Sequence, residues 1–322
     1  MPIFDQGYQH WQGRLSGHVL RFLVITRRGV RTQWGKKSTR RAVVVALLPA
    51  LFLVGFLIFW GLLEQKSEFL APLLLLLRGL PEELRDGPRK FRIPVWTLAF
   101  NTFLHIQAYF SMILVVIVGP DLISQDLRFG ALPLYFSRPL RRLDYFLGKL
   151  GVIGFYLLAV TVFPIILAYV LGVCFSLDFE VLGETARLLG ASLAWGLLVV
   201  VSAGTLMLAI SSLARNSRLV GGAWVCIWLV SAVAARALTS IVRENWCPLI
   251  SYVANLHRVR EALLDTASAL ETLLSVFSMF RVSARNAAPE YPWQWSALVL
   301  AGLFGISLCI LSMRVRSLDR LK

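Results

Sequence analysis

Charge is scarce in this sequence, and negative charge is scarcer still. Only 16% of the 322 residues are charged, with 18 Asp and Glu against 33 Lys and Arg, where an ordinary globular domain carries about 25%. A chain that is 57% hydrophobic, with a mean hydropathy of +0.69, has too few charges to coat a soluble core of that size. That excludes a soluble globular class and leaves a membrane protein. The pI of about 10.3 does not point to nucleic acid, because the bases gather on one side of the predicted spans, where anionic headgroups lie.

Other absences narrow the chemistry. Of the four cysteines, Cys174, Cys226 and Cys309 fall in apolar runs and Cys247 in a polar loop, so no disulfide framework is implied. A Cys174–Cys247 bond near the outer face stays open as an alternative. His, Cys and carboxylates nowhere cluster at metal-ligand spacing, so no metal site is predicted. The nearest imitation of a phosphate loop, "GVRTQWGKKS" from Gly29, has five residues rather than four between its glycines. It also has Lys37 where a hydroxyl should meet magnesium. No ATP hydrolysis is expected of this chain alone. An intramembrane serine protease is disfavoured too: "GASL" at 190–193 lacks a second Gly after Ser192, and His105, within a span, precedes that Ser. No repeat of 20–50 residues is present.

What the sequence has instead is long apolar runs. Crossing about 30 Å of hydrocarbon at 1.5 Å per residue takes about 20 residues. Residues 42–63, 97–118, 150–174, 188–213, 219–238 and 293–313 meet that need. The first follows nine Lys and Arg, so it does not read as a cleavable signal and is expected to remain in the mature chain. Six spans put both termini on one side, which collects 20 Lys and Arg against five acids; the other side holds 12 against 13. The positive-inside rule then places both termini in the cytoplasm, in a multi-pass protein of the cell (inner) membrane. Arg89, Lys90 and Arg92 dissent, lying on the side read as external. The apolar run at 69–77 is too short to cross and reads as interfacial or re-entrant. The expected organisation is an amphipathic arm, residues 1–41, and a six-span domain, residues 42–322.

In the arm, Leu15, Val19, Phe22 and Leu23 oppose Arg14, Arg21, Arg27 and Arg28, the pattern of a helix lying flat among headgroups. Between spans five and six, Leu256, Val259, Leu263, Ala267, Leu270, Leu274 and Phe277 recur at steps of three or four. That stripe predicts an external helix resting on the bilayer or on the tops of the other spans. Within span two, Asn101, His105 and Tyr109 fall four apart on one face. Polar groups in hydrocarbon turn toward the bundle interior, so the stripe either lines a translocation path or hydrogen-bonds neighbouring helices. Arg236 lies near the outer end of span five, where snorkelling accounts for it.

One charged segment interrupts the apolar pattern: "GPDLISQDLRFGALPLYFSRPLRRLDYFLGKL", residues 119–150. Gly119-Pro120 ends span two, Asp121 is a candidate N-cap and Gly130 a candidate C′ residue for a helix of about nine residues. A helix that short is marginal alone and needs a surface to pack on. Pro133 is then expected to bend the chain, and Ser137 is a candidate cap for a helix whose Leu140, Leu143 and Leu147 stripe runs into span three.

With the basic arm, the six spans, this acidic-basic short helix, the Ser-Arg-Pro turn and the Asp-Tyr pair opening span three, most of the chain resembles the membrane permeases of ABC transporters of the type 2 export family. The resemblance implies an all-α membrane fold with an interfacial N-terminal helix, a cytoplasmic coupling helix between spans two and three, and an external helical loop between spans five and six. It implies that Asp121, Ser124, Gln125, Asp126 and Arg128 dock in a cleft of a separate ATPase subunit, present in two copies. Leu122, Ile123 and Leu127 would pack the helix in place. ATP and Mg would be bound by that partner and not by this chain, which would have no enzyme activity of its own. A second permease copy or a paralogous permease would complete the complex, surrounded by lipid, with no nucleic acid. The implied function is export of a substrate across the membrane. The alternative is a non-transporting scaffold that anchors a cytoplasmic ATPase or another partner. The absence of a charged pocket within the spans favours a lipidic, amphipathic or peptide substrate over a small ion.

Overall fold

Hydrocarbon offers the backbone no hydrogen-bond partner, so long apolar runs satisfy their amides internally, as helices. The computed structural model describes residues 21–65, 87–131, 135, 140–176, 180–242, 244–276 and 291–317. Its first helices are α1 (Arg21–Trp34), α2 (Lys37–Glu64), α3 (Arg92–Val118) and the short α4 (Asp121–Arg128). Then come α5 (Arg142–Val160), α6 (Val162–Ser176), α7 (Glu180–Leu213) and α8 (Ser217–Val242). The last are α9 (Tyr252–Leu264), α10 (Thr266–Val276) and α11 (Trp293–Ser317). Six stretches among the described residues are long and apolar enough to cross a membrane: α2, α3, α5 with α6, α7, α8 and α11. The architecture is that of a multi-pass membrane protein, with spans where the sequence predicts them. The 69–77 run, Leu15 and Val19 of the arm, Phe277, Pro133 and the Ser-Arg-Pro turn at 137–139 lie outside the described residues.

Departures from straight helix have local causes. Span three breaks at Thr161, between α5 and α6, because Pro164 has no amide for the Val160 carbonyl and its ring crowds that turn. α8 carries a π-helical turn at Cys226–Val230. α3 and α7 form the middle of the bundle, with 61% and 67% of their spanning windows buried, whereas α8, at 6%, stands at the edge. Trp195 and Trp224 are fully buried, and their indoles donate to Leu256 O (3.1 Å) and Met112 O (3.1 Å). Tryptophan here both fills space and ties one helix to the next.

α1 is packed along α5. Thr26 Oγ1 donates to Gly148 O (3.0 Å), the Tyr156 hydroxyl to Val30 O (2.8 Å), and Trp34 stacks on Tyr156. The approach needs Gly148: a Cβ there would fall 2.7 Å from that of Ile25. Arg27, Arg28 and Arg31 remain exposed on the opposite side.

The largest correction concerns the segment after span five. The apolar stripe from Leu256 predicts one helix resting on the bilayer or on the tops of the other spans; the structure has two, α9 and α10, parted at Asp265 with its left-handed φ of 52°. Moreover, α9 is sunk into the bundle. Tyr252, at its start, shares a 2.9 Å hydrogen bond with Ser202 of α7 and packs edge-on against Trp224 of α8, whose indole bonds Met112 of α3. These three residues lie seven to nine positions from Ser217, Pro120 and Ser211, which meet at the α4 end of the bundle. At 1.5 Å per residue, Tyr252 stands about 10–14 Å above that end. From there α9 climbs toward the opposite end between α3, α7 and α11, so the segment is re-entrant. Some of the polar groups this buries are met locally: Asn255 Nδ2 donates to Leu249 O and Ser251 O (both 2.8 Å), and Ser251 Oγ caps the Ala254 amide (3.1 Å). The four thiols are free, Cys247 buried and Cys174 exposed, so the Cys174–Cys247 alternative is not realised.

At the end opposite α4, Arg92 is only 2% exposed. Its Nε and Nη2 grip Glu64 at 2.6–3.1 Å and its Nη1 donates to Glu184 at 3.1 Å, while Trp60 Nε1 donates to Glu64 at 2.8 Å. This cluster joins α2, α3 and α7 and pairs Arg92 with two acids of its own end of the bundle. Removing one partner of such a pair strands a buried charge at a cost of about 3–5 kcal/mol. Arg92→Leu is therefore expected to lower the thermal unfolding midpoint in detergent steeply, and Arg92→Leu with Glu64→Leu to recover most of the loss. Equal losses in the single and double variants would refute this account.

Candidate functional sites

α4 has eight residues and cannot stand alone, so the bundle holds it. Its first turn is capped from α7: Ser211 Oγ accepts from the amides of Ile123 (3.2 Å) and Ser124 (3.1 Å) and donates to Pro120 O (2.9 Å). Pro120 occupies the cap position that sequence reading gave to Asp121. With its amides served by Ser211, Asp121 instead accepts from Lys36 Nζ at 2.7 Å, just before α2. The Ser124 and Ser217 hydroxyls lie 2.8 Å apart and reach the start of α8. At the other end of the helix, Asp126 accepts from the Tyr145 hydroxyl (2.6 Å) and pairs with Lys149 (2.7 Å), both of α5. Gly130, at φ 64°, ends the helix as the C′ residue its sequence predicts, with Ala131 N donating to Asp126 O (2.9 Å). Burial beside Asp126 pushes the Tyr135 phenol up from its ordinary value.

This arrangement sorts the predicted docking residues. Leu122, Ile123 and Ser124 are buried, Leu127 is half-buried against the core, and Asp121 and Asp126 are engaged in ion pairs within the chain. What faces outward is Gln125, Arg128 and, just past the helix, Phe129, which is 75% exposed beneath the Arg128 guanidinium. Sequence reading missed Lys36, Tyr145, Lys149, Ser211 and Ser217, each remote in sequence from α4.

The second site lies along α3, where Asn101, His105 and Tyr109 meet the re-entrant α9. Asn101 Oδ1 accepts from Arg260 Nε at 2.8 Å. The His105 ring stacks on His257 with centroids 4.3 Å apart, and Tyr109 lies 5.7 Å from that same ring. Arg260 Nη1 is 2.7 Å from His257 Nδ1. A guanidinium only donates, so Nδ1 accepts and the imidazole proton sits on Nε2. Arg258 lies over the Tyr291 ring and donates to its carbonyl (3.0 Å), and Arg236 of α8 is within electrostatic reach of His257. The helix-bonding alternative for the stripe is thus realised on one side, while His105 remains exposed on the other. His257 and Arg260 escaped the sequence reading, although their spacing of three places them on one face of α9.

Comparison with known proteins adds nothing to these geometries: no protein-family model matches the chain, and no curated protein matches it.

Deleting the Ser211 hydroxyl would orphan two amides of α4, and a cap of this kind is worth about 1 kcal/mol, or about fivefold in a local opening equilibrium. Ser211→Ala should accordingly speed hydrogen–deuterium exchange across residues 121–128 by that factor while the middles of α3 and α7 stay protected. Unchanged exchange in α4 would remove Ser211 from the clamp.

Proposed function

We propose that the chain is the membrane-spanning half of an ATP-driven exporter, a permease of the type 2 ABC export family that dimerises and takes its power from a separate ATPase subunit. The observation that supports this most is the mounting of α4. Through Lys36, Pro120, Lys149, Ser211 and Ser217 it is bonded at the ends of five spans, yet it presents outward only Gln125, Arg128 and Phe129. A helix so built transmits a push on its tip to all five spans together. In this reading the α4 end faces the cytoplasm of the inner membrane, as the basic residues on that side suggest.

Two ATPase copies hold ATP and magnesium and seat the α4 tips, and a second permease, identical or paralogous, completes the path. Transport then follows from a difference in substrate affinity between two states of the dimer, since equal affinity moves nothing. Asp126 and Asp121 serve in this reading as the fastening of the helix, and Arg128 with Phe129 as the surface that meets the partner.

The test is the complex of this chain with an ATPase that co-purifies with it. Arg128→Glu with Phe129→Ala should cut substrate-stimulated ATP turnover about tenfold or more, since truncating a central Arg or aromatic contact costs about 2 kcal/mol. Membrane insertion should be unaffected. Unchanged turnover and co-purification would overturn the docking role. An ATPase that binds through the same tip without ATP-dependent flux in vesicles would mark a scaffold instead.

A further inference from the structure

The cluster around His257 is rich in bases and poor in acids. Arg258 and Arg260 share Glu261, each 3.9 Å from it, and no acid pairs with Arg236 among the described residues. Arg236 and His105 are both exposed, and His257 Nε2 has no hydrogen-bond partner. Counted from the α4 end, Arg236 is 19 residues up from Ser217 and His105 is 15 residues up from Pro120. That places them about 28 and 22 Å above the α4 end, so the cluster begins near the far boundary of a hydrocarbon layer of about 30 Å and descends into it. Cationic and polar groups at such depth face a partner or a path, and among the described residues Arg236 has no acid to pair with.

Beside it lies an apolar cavity of about 670 Å³ along the seam of α2 and α3, within the range of about 300–1,000 Å³ typical of ligand pockets. Leu48, Phe52, Phe56, Leu98 and Ile106 line it, and Phe52, 80% exposed, marks its opening toward lipid. Ile106 follows His105 and Thr102 follows Asn101, so at 100° per residue the cavity wall and the polar stripe are adjoining faces of the same helix.

We infer that these two adjoining faces bind one acidic amphiphile, a lipid-like molecule whose anionic headgroup is held by His105, Arg236 and His257 and whose acyl chain lies in the α2–α3 cavity. Charge decides the occupant: a second copy docked here about a two-fold axis would set the same bases against each other. As a substrate class the assignment rests on the permease reading. As a binding site it does not.

The experiment is native mass spectrometry of the purified full chain in neutral detergent, titrated with dioleoyl phosphatidylglycerol, dioleoyl phosphatidylcholine or glycerol phosphate. Wild type should retain phosphatidylglycerol in preference to phosphatidylcholine. Arg236→Gln, at an exposed position, should erase about fivefold of that preference, the worth of one base near a lipid charge, with the unfolding midpoint unchanged. Ala99→Trp, which fills the cavity, should weaken both lipids, and glycerol phosphate should not displace either. Arg40→Gln with Arg41→Gln, at the opposite end, should leave the preference intact. The proposal is overturned by an absence of preference, by a preference that survives Arg236→Gln, or by one lost only in the Arg40 and Arg41 variant. Competition by glycerol phosphate would replace the amphiphile with a free anion. Loss of self-association in Arg236→Gln would make the face a contact between copies. No ATPase enters the measurement, so its failure and failure of the permease reading are separable.

Discussion

An amide, carbonyl or charge without a partner in hydrocarbon costs several kcal/mol, and the bundle meets much of that cost from its own side chains. Trp195 and Trp224 spend their indole donors on the carbonyls of Leu256 and Met112. Asn255 and Ser251 close the irregular turn that lets α9 begin inside the bundle. Glu64 and Glu184 accompany Arg92, and Asn101 accompanies Arg260. The tryptophan, Arg92 and Arg260 bonds join elements remote in sequence, so satisfying those polar groups and assembling the helices are one process. Apolar packing alone would leave the helices free to slide, because lipid tails are as apolar as leucine.

The two ends of the bundle are fastened differently. At the far end Arg92 and Glu64 are almost wholly buried and bidentate, which makes the junction costly to open. At the α4 end the fastening consists of part-exposed ion pairs and single hydroxyl bonds, each worth about 1 kcal/mol. The bundle therefore gives more readily at the α4 end than at the other.

Span positions were legible in the sequence because length and apolarity decide them before any tertiary contact forms. The ends of α4 were legible for a similar reason: Pro120 and Gly130 act on their own turns. Its cap was not, because Ser211 reaches α4 only through the fold, and serine on an apolar helix looks alike whether it serves its own backbone or another. The depth of α9 was hidden by an ambiguity of pattern, since an apolar stripe suits a helix on lipid as well as one among helices. The Asn101, His105 and Tyr109 stripe showed itself by spacing, but its partners His257 and Arg260 lay in a segment read as external.

The seam between α2 and α3 shows how these fastenings combine. The helices run antiparallel, joined at one end by Glu64 and Arg92 and at the other by Lys36 and Asp121. Between those ion pairs lies the apolar cavity, with Pro49 on its wall. Proline there removes one α2 hydrogen bond at the level of the cavity, within a helix that stays continuous from Lys37 to Glu64. A seam pinned by charge at both ends and apolar in the middle keeps its register while its centre admits a chain. The bases of α8 and α9 stand on the adjoining face of α3, so a molecule with an acidic head and an apolar tail touches both the fixed and the yielding parts of the bundle at once.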